Sequence, residues 1–169
     1  MLNFTAMSIL TTAICLISGL LPFHRDINTI SVNVQAKRKE VVFFPDEASA
    51  IGKNIEQSPF YSSLNGEWDF LYFDCEKDVP EDLSSHSWNK ISVPGNWEVQ
   101  GWGTPIYVNT TYEFAPFDPQ PPTLPEDIPV GIYRRSFSVP EAWSGREVYL
   151  NICAAKSGVY TFINGSQIA

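Results

Sequence analysis

Between Val93 and Asn109 the chain sets Trp97, Trp102 and Tyr107 among Pro94, Gly95, Gly101, Gly103 and Pro105, with side-chain amides at Asn96 and Asn109. Flat apolar faces beside fixed hydrogen-bonding groups suit a sugar, which has apolar C–H faces and a rim of hydroxyls. The plain alternative is that Trp97 and Trp102 anchor the loop or belong to the core, since tryptophan is largely buried on average. Glu98 adds a carboxylate beside Trp97, and a lone Glu in a loop reads as a solvated rim residue. Neither a helix nor a long strand tolerates so much Gly and Pro. The stretch is therefore expected to be a tightly turned loop lying on a rigid sheet.

The rest of the chain must supply that sheet. At 169 residues it has room for one domain, and 44% hydrophobic and 14% aromatic residues are enough for a core. A net charge of -8 with a single basic cluster, Lys37-Arg38-Lys39, excludes the basic face that nucleic-acid binding needs. Cys15, Cys75 and Cys153 make neither a metal spacing nor a CxxC pair. Cys75 and Cys153 fall at or near strand ends, where pairing stays open. His24 and His86 stand apart, so no zinc cluster is expected.

Ala6 to Phe23 is an apolar run, and the first charge is Arg25. Its length and polarity fit a secretory signal better than a membrane span. Export is the expectation, with a retained membrane anchor as the alternative. Ile30 to Phe44 reads as an extended arm and Asp46 to Ile55 as one or two helical turns. Ser62 to Gly66 is expected to be a hairpin-like turn on the strength of Asn65-Gly66. Glu67 to Phe73 follows as a strand with Trp68, Phe70 and Tyr72 on one face, and Glu76 to His86 is acidic and irregular. Six prolines between Ala115 and Pro129 predict a stiff extended loop. Ile132 to Val139 is the next strand. Arg146 to Ile152 has the cleanest alternation, with Val148, Leu150 and Ile152 inward and Glu147, Tyr149 and Asn151 outward. Val159 to Ile163 then enters a turn at Asn164-Gly165.

Short strands bounded by Gly, Pro or Asn, with no long amphipathic helix, predict an all-β sandwich. The end of the chain just beyond Asn164-Gly165 leaves that sandwich short of strands, so a truncated chain is expected.

Three segments, taken together, resemble one family. SLNGEWDF (Ser63–Phe70), VPGNWEVQGWGTPIYVNTTY (Val93–Tyr112) and VGIYRRSFSVPEAW (Val130–Trp143) look like the N-terminal sugar-binding domain of the glycoside hydrolase family two β-galactosidases. The resemblance implies a jelly-roll (galactose-binding-like) β-sandwich, incomplete at its C-terminus. With the apolar run read as above, the chain is expected to divide into a signal-like segment at 1–25, an arm at 26–60 and the sugar-binding domain at 61–169. The resemblance also implies a glycosidase as parent, hydrolysing terminal non-reducing β-D-galactose residues in β-D-galactosides. The family's two catalytic glutamates lie in a barrel of about 250 residues that this chain lacks, so no residue here is assigned as catalytic.

In that family the Asn of the PIYxN motif hydrogen-bonds the galactosyl unit, and here it is Asn109. A carboxamide offers both a donor and an acceptor to adjacent hydroxyls. Asn109-Thr110-Thr111 is also a glycosylation sequon. Members of the family often use magnesium and sodium, but no ligand for either is identifiable in the sequence. The partners implied are a β-galactoside and the C-terminal catalytic domains, with oligomerisation a property of the parent. Ala154-Ala155 and Ala169 depart from the family pattern near the chain end. Other readings are a stand-alone carbohydrate-binding module, or the same domain of a β-glucuronidase or β-mannosidase.

Overall fold

A computed structural model describes residues 8–10, 23–36, 42–105, 124–125, 128–156 and 158–169. Asn109, the Lys37-Arg38-Lys39 cluster, Cys15 and most of the apolar and prolyl runs lie outside the described residues.

The strands are β1 (Ser8–Leu10), β2 (Gly66–Phe73), β3 (Asn89–Val93), β4 (Val130–Ser136), β5 (Phe162–Ile163) and β6 (Ser166–Gln167). They form one sheet in the order β3-β2-β4-β1-β5-β6, with every pairing antiparallel. The architecture is all-β, as expected. The helical content is α1 (Glu47–Ala50) and short 3-10 turns. Asp46 caps α1 by accepting from the Ser49 amide at 2.8 Å, while the Ser49 hydroxyl side chain reaches back to the Asp46 amide. No helix among the described residues is long and apolar enough to cross a membrane.

The aromatic alternation of β2 decides where the core sits. Trp68 and Phe70 face one side with Ile91 of β3, and Tyr72 and Tyr133 pack against them. Leu71 faces the other side with Val130 and Ile132 of β4 and with Val79, covered by Phe73, Leu83 and Trp88. Phe70 and Ile132 are wholly buried, and each such side chain contributes roughly 1.5–3 kcal/mol relative to leaving it exposed. On the Leu71 side a charge row crosses three strands at one register level. Asp69 meets Lys90 at 2.8 Å and Arg134 at 3.0 Å, and the Arg134 guanidinium lies 3.8 Å over the Trp88 ring. The hydrogen bond from Lys90, then that from Arg134, holds the Asp69 carboxyl below its usual range against its partial burial.

Three expectations are corrected. Asn65-Gly66 is no hairpin, because Gly66 already pairs with Val93 as the first residue of β2. Its φ of +124° suits glycine, and the Leu64 and Asn65 carbonyls before it accept from Arg135 at 2.8 and 3.0 Å. Arg146 to Ile152 is not a strand: Val148 is 49% exposed and Ile152 44% exposed, and no ladder forms there. Alternation marks a segment able to pair, but a ladder also needs a free neighbouring edge. The third concerns Val159 to Ile163, of which only Phe162–Ile163 is strand and Val159 is exposed. The turn after it is as expected. Asn164 (φ 50°) and Gly165 (φ 82°) take the left-handed conformations of a tight hairpin and set Phe162 opposite Gln167. No disulfide joins Cys75 and Cys153.

Candidate functional site

The loop from Val93 to Pro105 is built by what lies under it. The peptide bond between Val93 and Pro94 is cis. The chain then makes a 3-10 turn over Glu98–Gln100, closed by Gly101 in the left-handed conformation at φ 92°. Gln100 reaches back across the loop. Its Oε1 accepts from the Ser92 amide at 2.7 Å, and its Nε2 donates to the Ser92 and Asn96 carbonyls at 3.0 and 3.3 Å. One side-chain amide thus occupies both backbone groups of Ser92 on the edge strand β3, as a neighbouring strand would. A Cβ on Gly95 would stand 2.7 Å from that Nε2, so glycine is what lets the clip close.

Trp97 and Trp102 are turned down onto the sheet. Trp97 lies over Gly131 of β4, where an added Cβ would meet its ring at 2.4 Å. It packs edge-on to Tyr72, with ring centroids 5.6 Å apart. Trp102 meets Phe70 edge-on at 5.3 Å, and Phe70 lies 4.8 Å from Tyr133. Both tryptophans are half-buried parts of the Phe70 cluster. Of the two readings the sequence leaves open for these rings, their packing in the Phe70 cluster supports loop anchoring. The loop spends those faces on its own support, because apolar ring area gains more against Phe70 and Gly131 than in water.

Glu98 is half-buried rather than a freely solvated rim residue. Burial first, and then the Glu98 charge, push the Tyr133 phenol up to about 12. The Tyr72 phenol is raised as well, by burial and then by Asp74, whose carboxylate accepts its hydrogen, with Glu98 adding to the effect. Both phenols therefore stay neutral at any physiological pH. Gly103, at φ +66°, brings the backbone against the Tyr72 hydroxyl, which would stand 2.6 Å from an added Cβ. The result is a stiff platform that ends in exposed Thr104 and Pro105. Asn109 is four residues beyond Pro105 in the sequence. Asn96 is exposed, and its carbonyl is engaged by Gln100.

Some of this was absent from the sequence reading. Gly131 carried a readable signal, since a glycine inside a strand marks a close approach. The half-burial that raises the Tyr72 and Tyr133 phenols carried none, and neither did the Gln100 clip. His24 does not stand apart. Its Nε2 donates to Glu76 at 2.9 Å and its ring Nδ1 meets the Tyr160 hydroxyl at 3.0 Å, while Arg25 Nε donates to Glu76 at 3.1 Å. Glu76 can only accept, which places the His24 hydrogen on Nε2 and leaves Nδ1 to accept from Tyr160 when the ring is neutral. His86 keeps a buried Nδ1 with no hydrogen-bond partner. Among the described residues no three His, Cys, Asp or Glu side chains converge on a point that could hold a metal ion.

The sequence pattern of the family described as "Glycosyl hydrolases family 2, sugar binding domain" matches residues 61–169. The chain is 36% identical over 115 residues to a β-galactosidase of Psychromonas ingrahamii, covering 65% of this chain and 11% of that protein. It is 30% identical over 143 residues to one of Actinobacillus pleuropneumoniae, covering 84% and 14%. It is 31% identical over 154 residues to one of Halalkalibacterium halodurans, covering 85% and 15%. The matched part of the chain thus spans a small fraction of each relative's length. With the matched family pattern covering most of the chain, the protein belongs to family 2 of the glycosyl hydrolases and carries that family's sugar binding domain.

Proposed function

We propose that this chain is the N-terminal carbohydrate-binding portion of a β-galactosidase that acts on terminal non-reducing β-D-galactose residues. One observation supports this above the others. The stretch from Val93 to Pro105 is locked to the sheet through Trp97 on Gly131 and Gln100 on Ser92, so it can hold the residues that follow in fixed relation to a site built by another domain. A polar side chain on such a scaffold is well placed for function. Asn109 is the residue we assign to it, hydrogen-bonding the galactosyl hydroxyls.

The relatives are named β-galactosidases and are about seven to nine times longer than the part of them that this chain matches, by the shares of 11%, 14% and 15%. In this reading the catalytic acid/base and nucleophile, about 5 Å apart in a retaining glycosidase, belong to the longer polypeptide. Export is proposed as well, on the apolar run from Ala6 to Phe23.

The test is to read the coding sequence beyond codon 169, express the continuous polypeptide and assay it on nitrophenyl β-galactoside, β-glucuronide and β-mannoside. Preferential turnover of the galactoside is expected, with none by the 169-residue chain alone. Preference for the glucuronide or mannoside would move the assignment within the family. Sugar binding by the 169-residue chain with no enzyme encoded downstream would make it a stand-alone module. N-terminal sequencing of the protein recovered outside the cytoplasm tests the export proposal.

A further inference from the structure

Asn-Gly occurs at Asn65-Gly66 and again at Asn164-Gly165, both within the described residues. In such a pair the glycine amide nitrogen can attack the carboxamide carbon of the Asn side chain, because no Cβ obstructs its approach. The attack requires the peptide plane between the two residues to turn toward that side chain. Whether it turns depends on what holds the carbonyl and the N–H of that peptide.

At Asn65-Gly66 both ends of the peptide are held. The Asn65 carbonyl accepts from Arg135 Nη1 at 3.0 Å. Ser92 turns its amide and carbonyl away from β2, toward Gln100. Alternation along β3 therefore makes Val93 the residue that exchanges both ladder bonds with Gly66. The space is also taken, since a Cβ on Gly66 would stand 3.3 Å from Arg135 Nη1. Turning this peptide breaks the first pair of the β2–β3 ladder and the Arg135 contact together.

At Asn164-Gly165 neither end is held among the described residues. The pair is the two-residue turn between β5 and β6, at φ 50° and 82°. No hydrogen bond among the described residues reaches the Asn164 carboxamide, the Asn164 carbonyl or the Gly165 amide. Both residues are exposed, and a Cβ on Gly165 would meet nothing within 4 Å. The hairpin itself is thin. Its two residue pairs are extended only by Thr161, whose amide donates to Ala169 and whose carbonyl accepts from Ile168, each at 2.8 Å. Strand β6 ends the sheet, so opening the turn disturbs one edge and leaves the β2–β4 core in place.

We propose that Asn164 is a site of spontaneous backbone modification, and that the fold protects Asn65 from the same chemistry. The Gly165 nitrogen gives up its proton and forms a bond to Asn164 Cγ. The Cγ–Nδ2 bond breaks, and the side-chain nitrogen takes up the proton and leaves as ammonia. Water then opens the five-membered imide at one carbonyl or the other, leaving an aspartyl or isoaspartyl residue at 164. Either product adds a negative charge to an acidic chain. The isoaspartyl product also lengthens the backbone of the turn by one carbon, which a two-residue turn cannot absorb while keeping Phe162 opposite Gln167. The inference does not depend on the sugar specificity proposed above.

Ageing the whole 169-residue chain in mildly alkaline buffer and reading its peptides by mass spectrometry tests this. Conversion of amide to acid should be about tenfold or more faster at Asn164 than at Asn65, because the Asn164 peptide opens without breaking the β2–β3 ladder. In denaturant, where neither peptide is held, the two rates should converge. No conversion at Asn164, equal rates in the native chain, or a faster rate at Asn65 would each overturn the proposal. So would a native ratio that survives unfolding, since flanking sequence rather than the fold would then set it. In the fraction carrying isoaspartate at 164, amides of 162–167 should exchange with solvent faster while Leu71 in β2 keeps its protection. Unchanged exchange at 162–167 in that fraction would overturn the consequence drawn for the hairpin.

Discussion

The strands β2, β3 and β4 with the loop above them, and the stretch from Arg146 to Val159, are both rich in apolar residues and have opposite fates. In the first, three long side chains each meet a glycine. Trp97 meets Gly131, the Tyr72 hydroxyl meets Gly103, and the Gln100 amide meets Gly95. In the second, Val148, Tyr149, Ile152 and Val159 project from a chain with no ladder. Apolar pattern is common to both. What separates them is a neighbour with space to receive the side chain and unpaired backbone to bond the strand.

Substitutions measure the contrast directly. Ile132 is wholly buried between Leu71 and Val79, and Ile132→Ala should cost about 2–5 kcal/mol by denaturant melting. A loss below about 1 kcal/mol would mean that the β2–β4 core is far looser than the packing shows. Gly131→Ala comes next. Its Cβ has to displace the Trp97 ring from 2.4 Å, which should cost about 1–3 kcal/mol and change tryptophan fluorescence. Undisturbed fluorescence would mean that Trp97 is not seated on β4.

Asp69→Asn should cost about 1 kcal/mol at neutral pH, since it removes two partly exposed ion pairs. The Asp69 carboxyl is depressed in the fold, so its contribution is present above the ordinary carboxylate range and is lost as pH falls through the lowered value. The difference between the parent and Asp69→Asn should therefore shrink on acidification, and a difference that grows instead would reverse the assignment. Smallest of all, Val148→Ala should change stability by less than about 0.5 kcal/mol. A cost like that of Ile132→Ala would show Arg146 to Ile152 already packed in the chain as it stands.

The same contrast explains what the sequence could reveal. Strand β2 was legible because its aromatic alternation coincides with a strand buried on both faces, and the Asn164-Gly165 hairpin because two left-handed residues leave few other turns. The loop from Val93 to Pro105 was legible as a tight turn, but not in the direction its rings face. Trp97 can stack on a ligand or on a sheet, and the choice is made by Gly131, 34 positions away in the numbering. Arg146 to Ile152 misled for the complementary reason, since alternation states which face a strand would bury and says nothing about whether an edge is free to take it. The Glu76 clasp with His24 and Arg25 joins residues about fifty apart, a distance at which spacing carries no signal.

The central functional claim is that the Val93 to Pro105 platform supports while Asn109 binds. Asn109→Ala in the continuous polypeptide, with kcat/KM on a nitrophenyl β-galactoside and Tm taken from the same preparation, tests it most directly. The account predicts a fall in kcat/KM of about tenfold or more, since each ~1.4 kcal/mol of lost transition-state binding is a factor of ten, with Tm unchanged. Full activity, or activity lost only in step with a lowered Tm, would contradict it.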